Sequence, residues 1–373
     1  MARRKGKSQR RIRDWARRLH AGEEPEDLVA RQQRLPPPEV KLGQGAFAAG
    51  QEDQQGSQVQ GMLVGFFPGG AVVRAGGTDL LCGIAKTFRP PEQGAGSSPL
   101  AVGDAVTVAL APAAPAADRD RADGMILARR LRGTVLARPR PMRHKRIDEH
   151  ETEALEKVIA ANMDLLLIVA STRLPPLRPG LIDRFLIVAE RGGLAGVLAV
   201  NKIDLARPEP DVLAELKRRG VEVLCCSAAT GEGLEDLRRR LAGHKSVLAG
   251  ASGVGKSTLV NALVPGADAA TREVRAKDQR GRHTTSATVV YELPCGGCLV
   301  DTPGVRELGL RIDRAELPWY FPEFEPLSPR CRFADCTHTH EPACAVQAAV
   351  EAGQVRPERY ESYLRLLETI DER

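Results

Sequence analysis

The order of apolar and polar positions changes character twice along this chain. From Gln58 to about Arg138, short apolar runs (VQGMLVGFF, GAVVRAG, TDLLCGIA, DAVTVALAP and GMILARRLRGTVLA) are broken by turn residues, with no helical period. Five strands with glycine-rich turns predict a small all-β barrel, and an OB-fold is the form expected at this size. Two of its loops, around EQGAGSSP and PAAPAADRDRADG, are unusually long. Past Pro141 the pattern alternates. DLLLIVAS reads as a buried strand and PGLIDRFLIVAERGG as an amphipathic helix with a glycine stop. AGVLAVNKIDL, PDVLAELKRRG, VEVLCCSA, LEDLRRRLAG and KSVLAG then repeat strand and helix in turn. That order predicts an α/β domain with a parallel sheet covered on both faces. From about Asp313 a Pro- and Cys-rich segment precedes two helical patterns, AVQAAVEAG and ERYESYLRLLETI. The expected divisions are 1–56, 57–140, 141–312 and 313–373, the first a disordered extension ending in the linker-like QGAFAAGQEDQQGSQ.

Composition adds two constraints. The longest apolar stretch, residues 165–170, is strand-sized, so no membrane-spanning helix is expected, and the N-terminus lacks the apolar core of an export signal. Eight scattered cysteines are too few for a disulfide framework and suit a reducing cytoplasm. Charge is unevenly placed. Residues 1–20 hold nine Lys or Arg against one Asp, so the other 353 residues, in a chain of formal charge +6, carry about −2. A basic tail on a near-neutral body predicts contact with a polyanion such as RNA.

The densest chemical signal is residues 250–257, Gly-Ala-Ser-Gly-Val-Gly-Lys-Ser, following an apolar strand and leading into the helical STLVNAL. In that setting backbone N–H groups turn onto phosphate oxygens at a helix N-terminus, Lys256 neutralises the β and γ phosphates, and the Ser257 hydroxyl ligates Mg²⁺. Gly250, Ala251, Ser252, Gly253, Val254, Gly255 and Thr258 complete the expected phosphate cradle. A second strand ends in Asn201-Lys202-Ile203-Asp204. The Asp204 carboxylate can accept from the ring N–H and the exocyclic amine of guanine, a donor pair adenine lacks. Asn201 would hold base and loop, the Lys202 stem would pack along the ring, and a backbone N–H at Ser227-Ala228 could reach the guanine carbonyl. Asp301-Thr302-Pro303-Gly304 ends a third strand, placing an acid for Mg²⁺ and the Gly304 N–H for the γ-phosphate. Upstream, Gly281-Arg282-His283-Thr284-Thr285 offers the Thr285 hydroxyl as a further Mg²⁺ ligand.

Near the C-terminus, Cys331, Cys336, His338 and Cys344 fall within 14 residues, a donor set for one tetrahedral structural zinc. His340 is a competing ligand two residues on. Cys295 and Cys298 form a rival CxxC between two strands, read as a tight hairpin with incidental thiols or as a metal or redox pair. Cys82, Cys225 and Cys226 lie in predicted strands and read as core residues.

The nucleotide motifs resemble the five of the P-loop GTPases, but Asp204 precedes Gly250 by 46 residues, whereas in ordinary members the P-loop comes first. A site built from strand ends tolerates cutting at a different loop, so the order predicts a circularly permuted GTPase domain. With the basic extension, OB-fold and zinc motif, the chain resembles the ribosome-small-subunit-dependent GTPases of the RsgA/YjeQ family over residues 57–373. The resemblance implies a multidomain fold of OB barrel, permuted α/β GTPase domain and mostly α zinc-binding domain. It implies GTP or GDP, Mg²⁺ and one Zn²⁺ as cofactors, and the small ribosomal subunit and its rRNA as partners of a cytoplasmic monomer. Many GTPases place a water-orienting glutamine directly after the third motif; here Val305 stands there, which predicts slow intrinsic hydrolysis. His283, in the Thr285 loop, is the candidate replacement, and the family's histidine before paired threonines supports it. A permuted GTPase of large-subunit assembly and an RNA-binding protein with a merely structural nucleotide site are the alternatives.

Overall fold

The structure is a computed structural model that describes residues 57–67, 69–91, 98–111, 122–139, 156–267, 288–302, 305, 309–310 and 312–371. Five strands close into a barrel: β1 (Gln58–Phe67), β2 (Gly70–Ala75), β3 (Thr78–Ile84), β4 (Ala105–Leu110) and β5 (Gly124–Arg129). Their order is β1-β2-β3-β5-β4, with only the β3–β5 pair parallel. Leu63, Val73, Cys82, Val106, Val108 and Ile126 fill the interior without solvent exposure. The OB-type barrel expected from the strand pattern is therefore present.

One run departs from the expectation. GMILARRLRGTVLA, expected as a single strand, makes two, because β6 (Val135–Pro139) leaves the barrel to pair antiparallel with β7 (Glu156–Ala161). The cause is a buried charge. Asp104 is fully enclosed and accepts hydrogen bonds from Arg132 Nε at 2.8 Å, Arg132 Nη2 at 2.9 Å and the Ala101 N–H at 2.7 Å, with Arg129 Nε 3.8 Å away. A buried carboxylate requires such partners, and recruiting both arginines turns the chain between β5 and β6. Asn162 fastens the ribbon to the barrel, donating to Gly103 O and accepting from the Gly133 N–H.

Beyond the ribbon lie β8 (Leu165–Ser171), β9 (Ala195–Asn201), β10 (Glu222–Cys225), β11 (Lys245–Ala249), β12 (Val289–Glu292) and β13 (Cys298–Asp301). They form one sheet in the order β10-β9-β8-β11-β13-β12, parallel except for β12. The helices are α1 (Pro179–Gly192), α2 (Pro210–Arg218), α3 (Leu234–Leu241) and α4 (Lys256–Leu263). Proline in the first turn starts α1, and Gly193 ends it at φ 75° while its N–H returns to Ala189 O and Glu190 O. All seven residues of β8 are buried, as a central strand covered on both faces requires. Leu237, Leu241, Leu259 and Leu263 of α3 and α4 pack in one core with Leu165, Leu167, Val197 and Leu248 of the sheet. The chain builds β8, β9 and β10 outward, then returns to place β11 on the other side of β8. The crevice at that reversal, outside the strand C-termini, is where open α/β sheets bind ligands.

Barrel, ribbon and sheet belong to one compact unit, Gly56–Pro322 with Arg356–Arg373, and Glu323–Val355 is a second. The last helix, α6 (Pro357–Asp371), packs on α1 around Asp183, which is 2% exposed. Asp183 pairs with Arg219 at 2.6 Å and Arg359 at 2.5 Å and accepts from the Ser362 hydroxyl at 2.6 Å. The second unit holds a 3₁₀ turn (Ser328–Arg330), the Cys/His segment and α5 (Ala345–Glu351). No helix among the described residues is long and apolar enough to cross a membrane.

Candidate functional site

The chain leaves β11 at Ala249 and turns so closely over β8 that a Cβ on Gly250, whose φ is 141°, would lie 2.3 Å from Val169 O. At Gly255 (φ 94°) a Cβ would lie 2.5 Å from Asn201 Nδ2. Glycine is thus required at these two places by close approach and by φ together. Helix α4 starts at Lys256, and the Lys256 ammonium, nearly enclosed, donates to Gly250 O at 2.8 Å and Ala251 O at 2.6 Å. Ser252, Gly253, Ser257 and Thr258 are exposed along the same loop and first helical turn, and Val254 is buried beneath it. A helix N-terminus with exposed hydroxyls and a lysine folded over the loop can receive phosphate.

Asn201 ties this loop to the others. Only 1% exposed, it donates from Nδ2 to Val254 O at 2.9 Å and accepts at Oδ1 from the Ala228 N–H at 3.0 Å. Lys202, at φ 63°, donates to Gly253 O at 2.6 Å and to Leu174 O. Asp204 is exposed, and its carboxylate accepts from the buried Ser227 hydroxyl at 2.5 Å. Both N–H groups expected to face a base carbonyl are engaged here, Ala228 with Asn201 and Ser227 with Glu232 O. Burial pushes the neighbouring Cys226 thiol up to about 12, with a smaller contribution from Cys225, which makes it a packing residue rather than a nucleophile. Asp301 ends β13 half-buried, and Thr302 beside it is 2% exposed, its hydroxyl without a hydrogen-bond partner among the described residues. Asn201 and Asp301 therefore end, and Ser227 and Gly250 closely follow, four parallel strands. His283, Thr285 and Gly304 lie outside the described residues. Residues 172–178, between β8 and α1, also border this site, although no motif marks them.

The Cys/His cluster forms within the second unit. The donor atoms of Cys331, Cys336, His338 and Cys344 all lie within 4.8 Å of one another. Cys331 Sγ is 3.6 Å from His338 Nδ1 and 4.0 Å from Cys344 Sγ, and Cys344 Sγ is 3.5 Å from the same Nδ1. A tetrahedral Zn²⁺ with Zn–S of about 2.3 Å and Zn–N of about 2.0 Å sets ligand pairs about 3.5–3.8 Å apart, so the donors fit that ion. His340 is exposed, bonded to the Thr339 hydroxyl and apart from the cluster. The cause is local: His338 sits at φ 59°, 2% exposed, with Nε2 3.3 Å from the Ser328 hydroxyl. Glu341 gathers the segment by accepting from the N–H groups of Thr337, Thr339 and His340 and from the Thr337 hydroxyl. Although burial opposes it, those bonds hold the Glu341 carboxyl well below the usual range. Burial pushes the Cys336 and Cys344 thiols up and the His338 imidazole down. Taking a cation would therefore release protons from the Cys336 and Cys344 thiols. Cys295 lies exposed in the β12–β13 turn and Cys298 opens β13 buried, and neither belongs to a cluster of metal-binding donors among the described residues.

A phosphate loop after β11, an Asn-Lys-x-Asp turn placed earlier in the chain, and a sheet reversing between β8 and β11 define a circularly permuted P-loop domain joined to an OB-type barrel. Comparison with known proteins refines this class. The family model for the RsgA GTPase matches residues 138–311. A Gemmatimonas aurantiaca protein named small ribosomal subunit biogenesis GTPase RsgA is 48% identical over 214 residues, 57% of this chain and 70% of the relative. One of the same name from Chlorobaculum parvum is 42% identical over 281 residues, 74% of this chain and 87% of the relative. The crystal structure of YjeQ from Thermotoga maritima aligns with a TM-score of 0.60 at 29% identity, covering 85% of this chain and 99% of that one. YloQ, described as a circularly permuted GTPase, aligns at 0.58 and 25% identity, covering 87% and 98%. The chain belongs to the RsgA GTPase family.

Proposed function

We propose that this protein hydrolyses GTP to GDP and phosphate in the cytoplasm, slowly when alone, and that docking on the small ribosomal subunit stimulates it during late maturation or factor release. The observation that carries the nucleotide part is Asn201, which bonds the phosphate loop at Val254 and the base-side turn at Ala228 at once. One buried side chain thereby holds together the two halves that a guanine nucleotide would bridge. Asp204 would take the guanine N–H donors after the Ser227 hydroxyl yields or turns. Lys256 would leave the carbonyls of Gly250 and Ala251 for the β and γ phosphates. Ser257, Thr285 and Asp301 would hold Mg²⁺, which supplies charge neutralisation at the phosphates. The Gly304 N–H would sense the γ-phosphate, and His283 would orient water in place of the glutamine absent at Val305. The ribosomal part draws on the names of the relatives and on the basic charge of residues 1–20. In this reading the barrel, the basic tail and the Cys/His unit contact rRNA, the protein acts as a monomer, and Cys331, Cys336, His338 and Cys344 hold one structural zinc.

Nucleotide competition tests the site. GTP and GDP should displace a fluorescent guanine nucleotide far better than ATP, and Asp204→Asn should move preference toward xanthine nucleotides. Equal displacement by ATP and GTP contradicts the guanine reading.

A further inference from the structure

Strand β8 runs out into Thr-Arg-Leu-Pro-Pro-Leu-Arg, residues 172–178, before α1 begins. This loop touches both halves of the nucleotide site. The Thr172 hydroxyl donates to Ala206 O, two residues past Asp204. On the phosphate side, the Lys202 ammonium is shared between Leu174 O and Gly253 O. Pro175 stands next to the phosphate loop, since even a Cβ added at Gly253 would only reach ordinary van der Waals distance, 3.6 Å, from Pro175 Cδ. Pro175 O in turn accepts from the Ser171 hydroxyl at 2.9 Å. Leu174 has φ 54°, a left-handed conformation that a leucine keeps only where its surroundings impose it. Pro175, Pro176 and Leu177 line a cavity of about 20 Å³ together with Ala251 and Val254, which sets the loop beside the phosphate loop.

We propose that residues 172–178 are a strap that holds the base-side turn and the phosphate loop in register and thereby sets how fast guanine nucleotide leaves. Thr172 and Pro175 are its positioning residues. The inference rests on the guanine-nucleotide reading above. Its physical basis is the sharing of one ammonium between two loops. For the nucleotide to escape, the turn that holds the base and the loop that holds the phosphates must separate. Separation breaks a charge-assisted bond from Lys202, and that bond is aimed only while Leu174 stays in place. Thr172 fixes the start of the strap to the base side, and Pro175 sets its middle beside Ala251 and Val254 of the phosphate loop. Encounter with nucleotide from solvent needs neither contact, so association should be indifferent to them.

The test is stopped-flow release of a fluorescent GDP analogue from the full chain, chased with excess GDP, together with its association rate. Thr172→Val and Pro175→Ala should each speed release roughly two- to tenfold, the scale of one lost hydrogen bond or packing contact, with association unchanged. Thr172→Ser keeps the hydroxyl and should restore slow release, which a merely structural role for the side chain's volume does not predict. Should one variant not fold, the other carries the comparison. If wild-type protein binds the analogue and both folded variants release it at the wild-type rate, the strap is wrong while the guanine site stands. If wild-type protein does not bind it, the guanine reading fails and the strap falls with it.

Discussion

Replacing Asn201 by alanine is the sharpest perturbation of the tie between the phosphate loop and the base-side turn. The side chain is 1% exposed and satisfies two backbone groups, Val254 O and the Ala228 N–H, at 2.9 and 3.0 Å. Alanine leaves both without a partner. An orphaned buried donor or acceptor costs about 1–3 kcal/mol, so the pair is worth about 2–6 kcal/mol, less if water enters the vacated space. Both contacts are made within the protein, so part of the loss should appear in its stability, read by urea unfolding. The remainder should appear in binding, because the phosphate loop and the base-side turn lose their common tie. At 1.4 kcal/mol per decade, GDP affinity should fall by about tenfold or more. Asn201→Asp separates the two halves: it keeps the acceptor for Ala228 but sets a carboxylate oxygen against Val254 O, and should bind no better than the alanine variant. An Asn201→Ala protein with wild-type urea midpoint and wild-type GDP affinity would refute the reasoning.

Three further outcomes are expected. Metal analysis of freshly purified protein should find one zinc per chain, and Cys331→Ala or Cys344→Ala should abolish it while GDP binding persists; zinc-free wild-type protein contradicts the assignment. His283→Ala should lower the GTP hydrolysis rate and leave nucleotide affinity nearly unchanged, since its role is confined to the transition state; an unchanged rate makes it an ordinary loop residue. Asp183→Ala removes the buried carboxylate that pairs with the guanidinium groups of Arg219 and Arg359. It should cost about 3–5 kcal/mol in chemical denaturation, and a loss below about 1 kcal/mol is incompatible with that buried cluster.

Local signals were legible in the sequence and distant ones were not. The phosphate loop, Asn-Lys-x-Asp and the Cys/His segment are each written within a few residues, and strand–helix alternation exposes a parallel sheet because its buried strands read as continuous apolar runs. The permutation was legible as motif order alone. The β6–β7 ribbon was not, because what ends β5 is Asp104, more than twenty residues upstream of the two arginines it captures. Nor was the docking of α6, which depends on Ser362 meeting Asp183 across 179 residues. His338 and His340 are equivalent in a spacing pattern. They differ only once the left-handed backbone at His338 aims its ring among the thiols. Residues 172–178 look like a plain Pro-containing loop until Lys202 is seen to reach Leu174.

The most direct measurement is single-turnover hydrolysis of γ-labelled GTP by the full-length protein, alone and with saturating purified small or large ribosomal subunits. The expected result is a slow intrinsic rate that rises by about two orders of magnitude or more with the small subunit, as when a missing transition-state group is supplied or ordered in trans, and stays flat with the large subunit. A rate that remains at its intrinsic value with saturating small subunit, or that rises only with the large one, contradicts a GTPase coupled to the small subunit.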